Sequence, residues 1–153
     1  MKAIEHTIEI EAPRERVFEA LTDPGELVRW FPSGADSDTR TGGAFEYRFE
    51  FPSEPERDHT YSGAYHEVRA GESVSYPWNG ALGETRVDVT LEADGDSTVV
   101  HLVHSGWGEG PDWEESRQMH DEGWGFFLGN LKSYVEHGED GRPAALGMQT
   151  VAA

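Results

Sequence analysis

The stretch Val100-His101-Leu102-Val103-His104-Ser105-Gly106-Trp107, followed after a polar break by a long helical pattern from about Trp113, decides the fold of this chain. Val100, Leu102 and His104 share one face of an alternating strand, and His101, Val103 and Ser105 share the other. Beyond the break, Trp124, Phe127, Leu128, Leu131, Tyr134 and Val135 recur at helical spacing and form one broad aromatic and apolar face. A helix with such a face needs a curved sheet to lie against. The tryptophans Trp30, Trp78, Trp107, Trp113 and Trp124 fall where strands end or helices face inward, as amphipathic groups around a concave site do.

Upstream, Ile4, His6, Ile8 and Ile10 alternate with Glu5, Thr7 and Glu9, the period of a half-buried strand. Pro13 at the first helical position leads into a short helix over 14–21 that turns Val17, Phe18, Ala20 and Leu21 inward. Asp23-Pro24 restarts a second short helix through Glu26, Leu27 and Trp30, and Pro32-Ser33-Gly34 closes it. From about Thr41 to Trp107 the pattern is β: Phe45, Tyr47, Phe49 and Phe51 alternate with Glu46, Arg48 and Glu50, and further strands fall near 60–68, 73–78, 85–92 and 98–107. Asn79-Gly80 and Asp94-Gly95 are hairpin signals, so neighbouring strands run antiparallel. The domain is expected to end at 137. Residues 138–153 carry no usable period and read as a disordered tail or a surface wrap.

With 153 residues the chain makes one domain of ordinary size. Thirty acidic residues against twelve basic ones give a formal charge of −18, which repels phosphate backbones and anionic membrane surfaces and so excludes nucleic acid and membrane as expected partners. The acidic surface fits either simple solvation or a salt-rich cytoplasm, where the Debye length shrinks to roughly 3 Å at 1 M. Only Lys2 and Lys132 are lysine, a bias that codon usage explains equally well. No apolar run is long enough to span a bilayer and no signal-peptide core follows Met1, so a cytoplasmic location is expected. There is no cysteine to supply a disulfide, a thiolate ligand or a nucleophile.

Strand parity sorts the candidate site residues. His101 and His104 fall on opposite faces, a poor metal chelate, while His104 points with Val100 and Leu102 into the interior. His120 precedes Trp124 by one helical turn, so the two histidines can face each other across a cavity. There they could orient a polar ligand head, exchange a proton with it, or hold a metal with Asp121 or Glu122; a buried histidine satisfied by protein partners is the commoner arrangement. Trp30, Phe45, Tyr47, Tyr65, Trp78, Trp124 and Phe127 complete the candidate cavity, although such stripes also serve as plain core. No Gly-rich phosphate loop, nucleophile elbow or H-E-x-x-H helix is present, so neither cofactor nor metal is expected and no catalytic residue can be assigned. The acidic pairs Glu114-Glu115 and Asp121-Glu122 are what 30 acids produce by chance.

An ordered set of short motifs runs through the chain. It begins with Ala12-Pro13-x-x-x-Val17-Phe18-x-Ala20-Leu21-Thr22-Asp23-Pro24 and Leu27-x-x-Trp30-Phe31, and continues with Gly42-Gly43-x-Phe45 and Gly63-x-Tyr65-x-Glu67-Val68. It ends in Thr98-x-Val100-x-Leu102-x-His104-Ser105-Gly106-Trp107 and Gly123-Trp124-x-x-x-Leu128-x-x-Leu131-x-x-Tyr134. In this order the chain resembles the SRPBCC (START/Bet v1-like) superfamily, and within it the group named for the activator of Hsp90 ATPase homologue 1. The resemblance implies an α+β helix-grip fold: a curved antiparallel sheet with two short helices and a long C-terminal helix across its concave face. It further implies a cavity of the kind that binds hydrophobic or amphipathic small molecules, and the leading expectation is a binding protein that holds a hydrophobic or aromatic ligand there, with His104 and His120 orienting any polar group. Two other functions stay open, a cyclase- or lyase-type enzyme using a cavity histidine as acid or base, and a co-chaperone-like interaction module. A homodimer is compatible with each.

Overall fold

The computed structural model describes residues 1–150. Strand β1 (Ile4–Ile10) is followed by helices α1 (Arg14–Thr22) and α2 (Pro24–Leu27), then by β2 (Gly34–Ser37), β3 (Ala44–Phe49), β4 (His59–Ala64), β5 (Glu67–Arg69), β6 (Ser73–Gly80), β7 (Gly83–Asp94) and β8 (Ser97–Ser105). The long helix α3 (Pro111–His137) and a short helix α4 (Arg142–Leu146) complete the described chain. The α+β helix-grip architecture is therefore as the sequence predicts, with α3 starting two residues before Trp113.

The strands form a five-stranded antiparallel sheet in the order β1-β8-β7-β6-β5 and a three-stranded sheet β2-β3-β4. Parity holds along β8: Thr98, Val100, Leu102 and His104 are buried, and β1 runs beside it with Ile4 opposite His104 and Ile8 opposite Val100. Alternation continues on β7, where Thr85, Val87, Val89 and Leu91 face the core.

Where one strand was expected near 60–68, β4 and β5 are separate. Pro77 sits in the middle of β6 without a backbone N–H, so it cannot donate to a ladder there. Across from it Gly63 lets the strands approach, since a Cβ at that position would lie 2.8 Å from the proline ring. The seam is held instead by the Asn79 side chain, which accepts from the Ser62 amide, and by the His66 amide donating to Ser75. Asn79 is thus a seam residue, and Ala81-Leu82 makes the β6–β7 turn.

Three smaller expectations also change. Pro13 stands just before α1 rather than inside it, its carbonyl accepting from the Arg16 and Val17 amides. Helix α2 stops at Leu27, capped by the Asp23 carboxylate on the Glu26 amide, so Trp30 belongs to the turn beyond it. Gly34 opens β2, a strand of four polar or small residues with no period to announce it.

Over 138–150 the chain continues through α4, with Arg142 and Met148 buried. Gly138 ends α3 in the left-handed region (φ 71°), and Arg142 is fully buried against the turn after α2. Residues 151–153 lie outside the described residues.

Candidate functional site

The side chains of α3 meet the sheet in one continuous aromatic cluster. Trp78, 4 % exposed, is its hub: it stacks on Tyr61 with ring centroids 3.8 Å apart and planes at 19°, lies 5.5 Å from Trp124, and lies 6.1 Å from Phe31. Phe31 in turn contacts Phe49, Trp124 and Phe127 at 5.0 to 5.3 Å. Rings at such distances and angles gain from quadrupole complementarity as well as burial.

His104 and His120 do face each other, with centroids 5.5 Å apart and planes at 85°. Every ring nitrogen is committed. The Trp124 indole N–H donates to Nδ1 of His104 at 2.9 Å, and Nε2–H of His104 donates to the Thr85 hydroxyl at 2.7 Å. That hydroxyl passes its own proton to the Trp78 carbonyl at 3.0 Å. Likewise the Trp78 indole N–H donates to Nε2 of His120 at 3.1 Å, and Nδ1–H of His120 donates to the Ser116 carbonyl at 2.8 Å. Both rings are therefore neutral, with opposite tautomers fixed by their partners.

Burial lowers the pKa of His104 to about 3, reinforced by His120. The pKa of His120 is lowered by burial and by nearby His59, against the pull of the Ser116 carbonyl. The pair acts as two acceptors that make burying two indoles tolerable.

Beside this cluster opens a cleft of about 820 Å³. Phe49, His59 and Tyr61 from the three-stranded sheet form one wall, with Phe51 and Arg57 from the loop after β3; Trp78 and Phe31 form the floor. Helix α3 supplies the opposite wall with Met119, His120, Glu122, Gly123, Trp124, Phe126 and Phe127, and α4 closes one end with Ala145 and Leu146. Polar chemistry is confined to a few groups. Arg57 lies over the Phe51 ring at 4.2 Å and pairs with Glu54, and Nε2–H of His59 donates to the Asn79 carbonyl at 3.2 Å.

Of the sequence-predicted residues, Trp78, His120, Trp124 and Phe127 line the cleft. Trp30, Phe45, Tyr47, Tyr65 and His104 lie behind its wall. Trp30 is held by its indole N–H on the Ala20 carbonyl at 2.7 Å. Tyr47 and Tyr65 spend their hydroxyls on a chain running from Tyr47 to Tyr65 to Ser37 to Thr39 and ending on the Thr22 carbonyl, and Phe45 packs between the two tyrosine rings. Asp121 is drawn away by His6 at 2.7 Å, and no group of three or more potential metal ligands occurs among the described residues.

Phe49, one of the alternating aromatics, and Phe31, expected near the mouth, also line the cleft, whereas sequence reading missed Phe51, Tyr61, Phe126 and Leu146; Leu146 had no periodic context at all.

No curated protein matches the chain by sequence. Among solved structures, DynU16 of the dynemicin biosynthetic locus superposes with a TM-score of 0.77 at 22% identity, over 91% of this chain and 49% of its own. This chain thus spans about half of DynU16. The Aha1 dimer from Colwellia psychrerythraea gives 0.74 at 24% identity, over 91% and 99%. Protein CV1439 from Chromobacterium violaceum gives 0.75 at 26%, over 89% and 99%. No helix among the described residues is long and apolar enough to cross a membrane. Residues 11–136 match the family model described as Activator of Hsp90 ATPase homolog 1-like protein, and the chain belongs to that family.

Proposed function

We propose that the chain is a binding protein for a flat hydrophobic or aromatic small molecule, held in the cleft between α3 and the sheet. The observation that carries this reading is the cleft itself: an aromatic slab where Tyr61 of the wall stacks on Trp78 of the floor, phenylalanines on both walls, and a polar rim of Arg57, His59 and Glu122. A ligand ring stacks against the slab while a single polar substituent reaches His59 or Arg57. Acid/base catalysis by His104 or His120 finds no support, because neither ring has a nitrogen left for a substrate. An apolar docking patch for a chaperone finds none either: among the described residues the exposed large hydrophobic ones are Met1, Leu82 and Met119, too few to make a patch of several hundred Å². The Colwellia relative was solved as a dimer, so we extend the reading to self-association of this chain, which sedimentation at varied concentration tests.

Gly123 provides the decisive variant for binding. A Cβ there meets nothing within 4 Å, and the position lines the cleft. Gly123→Leu fills the cleft while favouring the helix by about 0.5–1 kcal/mol. Anilinonaphthalene sulfonate is expected to bind the wild-type protein saturably and to lose that binding in Gly123→Leu, with thermal stability kept or raised. Equal probe binding by the two proteins contradicts the assignment. Native mass spectrometry of freshly purified protein, followed by solvent extraction, then identifies any molecule carried from the cell.

A further inference from the structure

Building on that reading of the cleft, we infer that the segment 140–149 is its specificity-determining wall, with Arg142 the positioning residue that holds it in place. The segment lies beyond residues 11–136 matched by the family model. Its conformation is dictated from both ends.

At one end Arg142, 0 % exposed, spends its guanidinium on the turn after α2: it donates to the carbonyls of Val28 at 2.7 Å, Phe31 at 3.1 Å and Pro32 at 2.7 Å, and to the Asp140 carboxylate at 2.8 and 2.9 Å. Asn130 on α3 completes the clasp, donating to the Trp30 carbonyl and to Asp140 while accepting from the Gly141 amide. A buried charge is tolerated only when paired and hydrogen-bonded in this way. At the other end the Gln149 amide donates to the Glu50 carbonyl at 2.8 Å, between the lining residues Phe49 and Phe51, and Met148 is buried. Gly147, at φ 65°, ends α4 and turns the chain between the two anchors.

What hangs between the anchors is the end wall of the cleft, Ala145 and Leu146. Leu146 is half-buried: it packs against the core and also faces the cleft. Its side chain therefore sets how long a ligand the cleft accepts. The carbonyl of Phe31, a floor residue, is bound by the same guanidinium, so one residue holds floor and end wall in register.

The test compares two probes on the full chain at fixed ionic strength: anilinonaphthalene sulfonate and its larger bis form. Leu146→Ala is expected to shift the affinity ratio toward the larger probe by about fivefold, and Leu146→Trp to shift it the other way by a similar factor. Arg142→Gln is expected to speed amide exchange at 143–149 while exchange in β7 and β8 stays unchanged, and to erase the size discrimination. An unchanged ratio in both Leu146 variants overturns the inference even where binding itself persists. Wild-type protein binding neither probe overturns the cleft reading, and this inference with it.

Discussion

His104 stays neutral because a second proton has nowhere to go. Nδ1 already receives the Trp124 indole N–H, so protonating it would set two donors against each other in a buried site. Its pKa is accordingly lowered to about 3 by burial and by His120. An unfolded chain takes up this proton below about pH 6.5, whereas the native state refuses it until about pH 3. Stability from this group is thus complete above pH 6.5 and is lost progressively as pH falls toward 3, with a slope approaching about 1.4 kcal/mol per pH unit. Replacing the imidazole with a neutral amide, His104→Gln, is expected to flatten the fall in unfolding free energy between pH 6.5 and 5, measured by urea denaturation at each pH. The same slope in both proteins would show that His104 titrates in the native state.

At the scale of elements, α3 is held at its start by a lock and at its middle by packing. Trp113 is wedged against Gly108 and Gly83, where added Cβ atoms would lie 2.5 and 3.4 Å from the indole. Gly108→Ala is expected to loosen the first turns of α3, seen as faster amide exchange at 111–118, while Trp124→Ala should cost roughly 3–5 kcal/mol as a large core truncation. Exchange unchanged in the first, or a loss well under 1 kcal/mol in the second, would mean the helix is anchored elsewhere. These elements were legible because one-sided burial imposes a period: Val100, Leu102 and His104 on β8, and Trp124, Leu128 and Leu131 on α3, are buried where spacing puts them. The features that escaped have no period to read. Strand β2 is Gly-Ala-Asp-Ser; the β4–β5 break depends on Pro77, a proline on a neighbouring strand; and the C-terminal wrap depends on an arginine whose partners are backbone carbonyls more than a hundred residues earlier. For the same reason the floor of the site was visible in the sequence and its end wall was not.

Over the whole molecule the charge of −18 is the dominant long-range term. The ion pairs that offset it are mostly exposed, such as Arg40 with Asp38 and Arg69 with Glu67, and exposed pairs contribute little each. Self-repulsion therefore weakens the native state at low ionic strength, and the midpoint of thermal unfolding is expected to rise as sodium chloride goes from low concentration to about 1 M, where the screening length falls to about 3 Å. A flat or falling midpoint would mean that the carboxylates are already spaced widely enough to ignore one another.

The claim on which the account turns is that a small molecule lies on the Tyr61–Trp78 slab, and the indole N–H cross-peaks of the five tryptophans, assigned by single substitutions, test it most directly. Trp78 and Trp124 line the cleft, whereas Trp30 is bonded to the Ala20 carbonyl behind it. On titration with anilinonaphthalene sulfonate the cross-peaks of Trp78 and Trp124 should move together and saturate while that of Trp30 stays in place. Motion of Trp30 equal to theirs, or no motion of Trp78 and Trp124 at saturating probe, would contradict it.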